Sequence, residues 1–320
     1  MSDYRKISII VPFYNEGESV EYFYTAISAI LDQVLEHNFE VICIDDGSRD
    51  DTLNKLIALT ERDARFHIVE LSRNFGKEAA LTAGLDMASG DAVIPIDADL
   101  QDPPELIPEM IKAWLKGAEV VLARRVDRSS DSFFKRKTAE FFYRFHNRLS
   151  TIKIPENVGD FRLMDRIAVD AIKQLPEQHR FMKGIFAWVG FKTVTVDYTR
   201  SPRAAGTTKF SGWKLWNFAL EGITSFSAAP LKFWSYIGGF GALVTIAYAL
   251  FIVTRTLIYG VDIPGYASLL VAVLFFGSLQ LISVGMLGEY IGRIYMETKH
   301  RPLYLIRKHY GVKNESCRIS

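Results

Sequence analysis

From Ile7 to about Ala123 the chain alternates short runs of β-branched and aliphatic residues with longer amphipathic stretches, and this alternation is what most restricts its fold. The runs are Ile7 to Val11, Glu40 to Ile44, His67 to Leu71, Ala92 to Ile96 and Val120 to Ala123. The intervening segments, about 12 to 20 residues each, open on polar caps such as Ser48 or Asp50 and close on glycines such as Gly90 and Gly117. That is the pattern of a parallel α/β sheet. A mixed segment from Arg124 to Tyr198 follows. It holds basic helical sequence, a glycine and acid at Gly159-Asp160 before a strand-like run, and a further strand candidate, Thr193 to Val196. It reads as the completion of the same domain, residues 1–212.

The 320 residues, 49% of them hydrophobic, exceed what one core needs. The surplus lies late in the chain. Trp213 to Ala229 mixes aromatic and aliphatic residues with Lys214, Asn217 and Glu221, as in a helix lying at a membrane interface or a buried amphipathic helix. Phe233 to Val253 and Ser268 to Leu287 carry no charged side chain, and each is about 20 residues long, the length that crosses a hydrocarbon core. The expectation is an interfacial segment (213–232), a two-helix transmembrane domain (233–292) and a tail (293–320). Lysines and arginines flank the pair, at Lys209, Lys214 and Lys232 before it and Arg293, Lys299, Arg301, Arg307 and Lys308 after it, while the connection has none. The bias predicts a multi-pass membrane protein with both termini cytoplasmic. Net charge is +1, from 38 basic and 37 acidic side chains, which argues against nucleic acid as a partner. Two cysteines, Cys43 and Cys317, are too few for a disulfide framework or a zinc site.

Three strand candidates end in polar motifs: Pro12-Phe13-Tyr14-Asn15-Glu16, Asp45-Asp46-Gly47-Ser48 and Asp97-Ala98-Asp99. In a parallel sheet these ends share one edge, where ligands bind. Asp97 and Asp99, one residue apart in an extended turn, can place one oxygen on a divalent cation and leave another to orient a sugar hydroxyl or water. Alone, the triplet could equally be a solvated acidic turn, and Asp46-Gly47-Ser48 a helix cap. Carboxylates at the second strand end can accept hydrogen bonds from a nucleobase imide or ribose hydroxyls.

Taken together, Val11 to Glu16, Asp45 to Ser48, Arg73-Asn74-Phe75-Gly76-Lys77, Asp97 to Pro104, Gly159-Asp160-Phe161-Arg162-Leu163 and Gly288 to Arg293 resemble glycosyltransferase family 2, of the GT-A (Rossmann-like) fold. Within it the likeness is to polyprenyl-phosphate sugar transferases of the bactoprenol glucosyl transferase type, which implies that the membrane is the bacterial inner membrane, with the catalytic domain on its cytoplasmic side. The resemblance implies inverting transfer of glucose from UDP-glucose to undecaprenyl (bactoprenyl) phosphate, supplying a lipid-linked sugar for modifying surface polysaccharide such as lipopolysaccharide. It implies that Pro12, Tyr14, Glu16, Asp45 and Asp46 line the nucleoside pocket, with Asn74 and Lys77 assisting at the donor. Asp97, Asp99 and Gln101 would surround the diphosphate, with Asp99 and Gln101 as ligands of Mg2+ or Mn2+. Asp160 matches the acid that the family places near the reacting centre, for orientation or base work. Other donors, of mannose, N-acetylglucosamine or aminoarabinose, fit the same framework.

An anionic acceptor calls for cations, and Arg124, Arg125, Arg128, Lys135, Arg136 and Lys137 form a dense basic stretch ahead of Phe141-Phe142-Tyr143. A solvated helix face would account for such a run as well. Arg203, Gly206, Thr208 and Lys209 resemble the family's mobile acceptor loop, or form a linker. Small residues at Gly238, Gly239, Gly241, Gly277 and Ser278 would permit close helix packing, and the resemblance suggests a homo-oligomer. A processive polysaccharide synthase would need many membrane helices and a glutamine-x-x-arginine-tryptophan motif, of which Gln178-His179-Arg180-Phe181 is only an echo. A non-catalytic nucleotide-binding scaffold would not need Asp97, Asp99 and Asp160 intact.

Overall fold

The computed structural model describes residues 4–126, residues 158–198 apart from 176, 178, 179 and 181, scattered positions between 237 and 259, and residues 265–311. Arg128, Lys135 to Lys137, Arg203, Lys209 and the expected interfacial segment Trp213 to Ala229 lie outside them.

The order of elements is β1 (Lys6–Phe13), α1 (Ser19–Leu31), β2 (Asn38–Asp45), α2 (Thr52–Arg62), β3 (Phe66–Leu71), α3 (Lys77–Met87), β4 (Ala92–Pro95), a short 3-10 turn, α4 (Ile107–Leu115) and β5 (Val120–Arg125). There follow β6 (Val158–Asp165), α5 (Arg166–Lys173), α6 (Met182–Trp188), β7 (Thr193–Tyr198), α7 (Tyr266–Thr298) and β8 (Ile306–Tyr310). Eight strands form one sheet in the order β7-β5-β6-β4-β1-β2-β3-β8. Each strand run expected from sequence is a strand here. The sheet is mixed rather than wholly parallel, because β6 runs antiparallel to β4 and β5, and β8 antiparallel to β3.

Side-chain alternation along β1 explains the layering. Ile7, Ile9, Val11 and Phe13 face a core completed by α1, α2 and α4, with Phe13 edge-on to Phe23 at 5.6 Å between ring centres. Ile10, with Ile42 and Ile44, faces the opposite core, built from α3, α5 and α6. Burial on both sides is why these strands read as near-continuous apolar runs. Helix α3 can lie close against the sheet because position 84 is glycine: a Cβ there would come within 2.9 Å of Ile44 and 3.0 Å of Ile10.

Strand order reverses at β1, with β2 and β3 on one side and β4 on the other. The crevice at such a switch point, above the C-terminal strand ends, is where doubly wound sheets bind ligands. Antiparallel β6 brings its first residues, Val158 to Asp160, to that same edge.

The expected membrane spans are corrected. Among the described residues no helix combines the length and apolarity needed to cross a membrane. Ser268 to Leu287 is not a separate element but part of the 33-residue helix α7, along which Ser278, Gln280, Ser283 and Glu297 recur and which continues without a break into the charged sequence beyond. Phe233 to Val253 is described only at scattered positions. The expected multi-pass placement in the inner membrane rested on those two spans and falls with them.

Candidate active site

The first two strand ends are tied to each other and to the loop after β3. Asn15 takes a left-handed turn (φ 51°). Its backbone N–H donates to Ser48 Oγ at 3.0 Å, and its Oδ1 accepts from Arg49 N at 2.8 Å. Glu16 is drawn toward the start of α1 and α2: its Oε2 accepts from Ser19 Oγ at 2.9 Å and its N–H donates to Thr52 Oγ1 at 2.9 Å. Tyr14 is 44% exposed at the crevice mouth, beside half-buried Pro12.

The two acids after β2 have different roles. Asp46 lies beneath the loop Arg73–Lys77, its carboxylate accepting from Phe75 N at 2.7 Å and Gly76 N at 2.9 Å. Burial pushes its pKa up, against the pull of those two amides. Asp45, 1% exposed, accepts from Ser48 N at 3.1 Å through Oδ2. Its Oδ1 is buried with no hydrogen-bond partner among the described residues. Burial raises its pKa as well; Ser48 opposes the rise, and Glu70 and Asp50 add to it. Gly47 is required between this turn and the loop, since a Cβ would stand 2.4 Å from the Arg73 carbonyl carbon.

At the centre of the edge Lys77, the first residue of α3, spans two carboxylates that come from distant parts of the chain. Its Nζ lies 2.7 Å from Asp97 Oδ1 and 2.8 Å from Asp160 Oδ2. The lysine and Asp97 side chains are 43% and 33% exposed, so the bridge opens to the crevice. Burial works against the ammonium, but the charges of Asp160 and Asp97 more than offset it and hold the lysine protonated. Asp99 and Gln101 are neighbours in the turn after β4, where Leu100 is left-handed (φ 51°) and Gln101 N donates to Asp99 Oδ1 at 3.1 Å. Asn74 is exposed on the loop above.

Of the basic residues expected at the acceptor, Arg124 and Arg125 are described. Arg124 forms a two-pronged pair with Asp197, at 2.7 and 2.9 Å. Arg125 is half-buried at the end of β5.

Two features of the site escaped the sequence reading. Arg162, 5% exposed, turns back under Asp160, donating to Gly159 O at 2.6 Å and Asp160 O at 3.3 Å. The signal was present: a charged residue inside the apolar run Phe161 to Met164. Asp102, buried behind the Asp97-to-Gln101 turn, accepts from Tyr198 Oη at the end of β7. Nothing local to Asp102 announces a partner 96 residues away.

Comparison with known proteins matches residues 8–173 to the family model of glycosyl transferase family 2. A bactoprenol glucosyl transferase of Shigella phage SfV is 55% identical over 302 residues, covering 94% of this chain and 98% of that one. A prophage bactoprenol glucosyl transferase homolog of Escherichia coli K12 is 53% identical, covering 95% and 99%. An uncharacterized glycosyltransferase of Synechocystis is 53% identical, covering 96% of both chains. A crystal structure of Mycobacterium tuberculosis glucosyl-3-phosphoglycerate synthase with Mn2+, UDP and glucosyl-3-phosphoglycerate aligns over 68% of this chain and 76% of that one at 22% identity, with a TM-score of 0.45. That likeness is too distant to bear on the site.

Proposed function

Because the chain belongs to glycosyl transferase family 2, we propose that it transfers glucose from UDP-glucose to bactoprenyl (undecaprenyl) phosphate, with inversion at the anomeric carbon. The observation that carries this reading is the bridge of Lys77 between Asp97 and Asp160 at the switch-point edge. Support for the sugar and the lipid comes from the relatives named bactoprenol glucosyl transferase, which match over nearly the whole chain.

Asp45 supports a nucleoside-binding role: its unsatisfied buried Oδ1 suits a donor such as the imide N–H of a uracil ring. Asp46 acts one step behind, fixing the loop that presents Asn74 and Lys77. Tyr14 and Pro12 wall the same pocket. Lys77 stands where a donor diphosphate would enter, an ammonium already held between acids and able to meet phosphate oxygens. In the displacement, a lipid phosphate oxygen forms the new bond to the anomeric carbon while the bond from that carbon to the diphosphate breaks, releasing UDP. The acceptor phosphate is already ionised near neutral pH, so Asp160 contributes alignment more than proton removal.

The all-oxygen set of Asp99, Gln101 and Asp97 suits a hard cation. Among the described residues no group of three or more His, Cys, Asp or Glu could hold a metal alone. Two protein ligands plus diphosphate oxygens match how Mg2+ or Mn2+ is bound by phosphate-transferring sites, with Asp99 and Gln101 as those ligands. A cation held there by Asp99 and Gln101 would supply neutralisation of the charge that grows on the leaving diphosphate. Arg124 and Arg125, with Arg128, Lys135, Arg203 and Lys209, belong to the same reading as the cations for the acceptor phosphate, and self-association of the chain is part of it.

The test is transfer of labelled glucose from UDP-glucose to undecaprenyl phosphate by the purified protein in detergent, with Mg2+, with EDTA, and with Asp99→Ala. Metal-dependent lipid-phosphate glucose, lost in the variant, is the expected result. Transfer only from another nucleotide sugar would overturn the donor and keep the chemistry. No transfer from any donor would overturn the enzyme reading.

A further inference from the structure

Asp160 sits where its strand is least supported. The pairing of β6 with β4 covers only Ala92 with Asp165 and Val93 with Met164, so β4 does not reach the start of β6. On the other side the register with β5 slips: Leu122 faces Arg162 and Arg124 faces Val158, leaving residues 159–161 opposite Ala123 alone. Such a bulge re-aims side chains but gives up ladder hydrogen bonds. The Gly159 and Asp160 carbonyls lie within that irregular stretch, and the Arg162 guanidinium takes both, through Nη2 and Nε. The guanidinium carbon, Cζ, lies over the Phe186 ring in α6, 4.0 Å from its centre. The same helix begins at Met182, whose N–H donates to Glu78 Oε2 at 3.3 Å. Glu78 adjoins Lys77, so Asp160 and its ammonium partner rest on one shared support.

We infer that Arg162 is a positioning residue for the transfer reaction, holding the bulge that aims Asp160 at the reacting carbon; the inference rests on the role proposed above for Asp160. Burial lowers the Arg162 pKa to about 10 while Asp160 raises it, so the group stays charged near neutral pH. A planar fork is needed: it must reach two adjacent carbonyls and stack on a ring at once, which a lysine ammonium does not do.

The experiment uses the full chain, with Arg162→Ala, Arg162→Lys, Phe186→Leu and Asp160→Asn, reading kcat, KM for UDP-glucose and melting temperature. Both Arg162 variants are expected to lose on the order of a hundredfold in kcat, as displacements of about 1 Å at a reacting group do. The KM for UDP-glucose should change far less than kcat, within about threefold, since Asp45 and the Asp46-held loop keep their own hydrogen bonds and only the Lys77 contact with Asp160 is disturbed. Millimolar guanidinium ion should restore part of the kcat of Arg162→Ala and none of that of Asp160→Asn, a readout that a general loss of folding would not produce. Should the Arg162 variants fail to fold, Phe186→Leu keeps the arginine and removes its stacking surface. A fall in kcat alone supports the inference there, and unchanged kinetics overturns it. Full kcat in Arg162→Lys, or equal losses in kcat and in donor binding without guanidinium rescue, would overturn it too. If Asp160→Asn keeps full activity, the role of Asp160 itself fails; if Asp160→Asn is inactive while the Arg162 variants are active, only the present inference does.

Discussion

Gly47→Ala is a small substitution with a large expected effect. Gly47 has φ +66°, where a Cβ costs about 1–2 kcal/mol by backbone sterics alone. The added carbon would also stand 2.4 Å from the Arg73 carbonyl carbon and 2.6 Å from Asn74 N, against an ordinary contact of 3.4 Å or more. The loop must therefore retreat by about 1 Å, and the atoms in the way are backbone, which cannot rotate aside. Retreat pulls Phe75 N and Gly76 N off the Asp46 carboxylate. Each bond to a charged group is worth about 1.5 kcal/mol at the low end. The sum is roughly 4 kcal/mol, and because the loop leads into Lys77, UDP-glucose binding should fail with it. Gly117→Ala is the control, since Gly117 has φ +94° with nothing within 4 Å of a new Cβ. It should cost only the backbone share, about 1–2 kcal/mol. Urea unfolding of both variants, with calorimetric titration of UDP-glucose, measures the difference. Equal losses of stability in the two, or a Gly47→Ala protein that binds donor normally, would refute the claim that the turn and the loop are locked together.

Lys77→Met should lower kcat/KM by on the order of a hundredfold, through loss of a fixed cation at the diphosphate and of the Asp97–Asp160 bridge, in steady-state transfer assays. Asp45 has a folded pKa raised by burial, so the folded state holds the proton more tightly, and stability falls as pH climbs from the unfolded value of about 3.9 to the raised one. Asp45→Asn should therefore melt higher than the parent near neutral pH, lose that advantage below about pH 3.9, and bind donor poorly; a gain independent of pH would contradict the assignment. Glu40 behaves oppositely. Burial alone would raise its pKa, but Lys6, Ser8 and Ser89 more than offset that and lower it, so its stabilisation is present above the unfolded value and is lost as pH falls through the folded one. Glu40→Gln, at the far ends of the strands, should cost about 2 kcal/mol by urea unfolding and leave kcat unchanged.

The central strands were legible because burial on both faces demands β-branched runs, and Ile7 to Val11 or Ala92 to Ile96 can hardly be anything else. Asp45 and Asp97 were legible because topology delivers parallel strand ends to one edge, whereas Asp160, near the start of antiparallel β6, was singled out by the family resemblance. What side chains do there was less so. Asp46 reads like Asp45 in sequence, yet its carboxylate serves the neighbouring loop, a fact set by packing between segments about thirty residues apart. Arg162 was quoted for its motif and not for its place, since the bulge that buries it depends on register with β5. Hydropathy counted Ser268 to Leu287 as a separate span; the structure continues it into one helix ending at Thr298. Strand β8, Ile-Arg-Lys-His-Tyr, was read as part of a tail because it follows the expected second span. Arg307 and Tyr310 anchor it to Glu70 across the β3 edge, at 3.2 and 2.9 Å.

That last strand bears on how the molecule is made. Tyr310 meets Glu70 across 240 residues of chain, so the open hydrogen-bonding rim of β3 is finished by sequence that leaves the ribosome long after β3 itself. Until then a nascent chain carries an unpaired edge backed by apolar Ile68 and Val69, the kind of template on which other chains aggregate. Closing a loop of this size is slow relative to pairing of the strands nearer in sequence. Assembly should thus pass through a species with the crevice strands in place and one margin still adhesive, and the yield of folded protein should depend on how quickly that margin is covered.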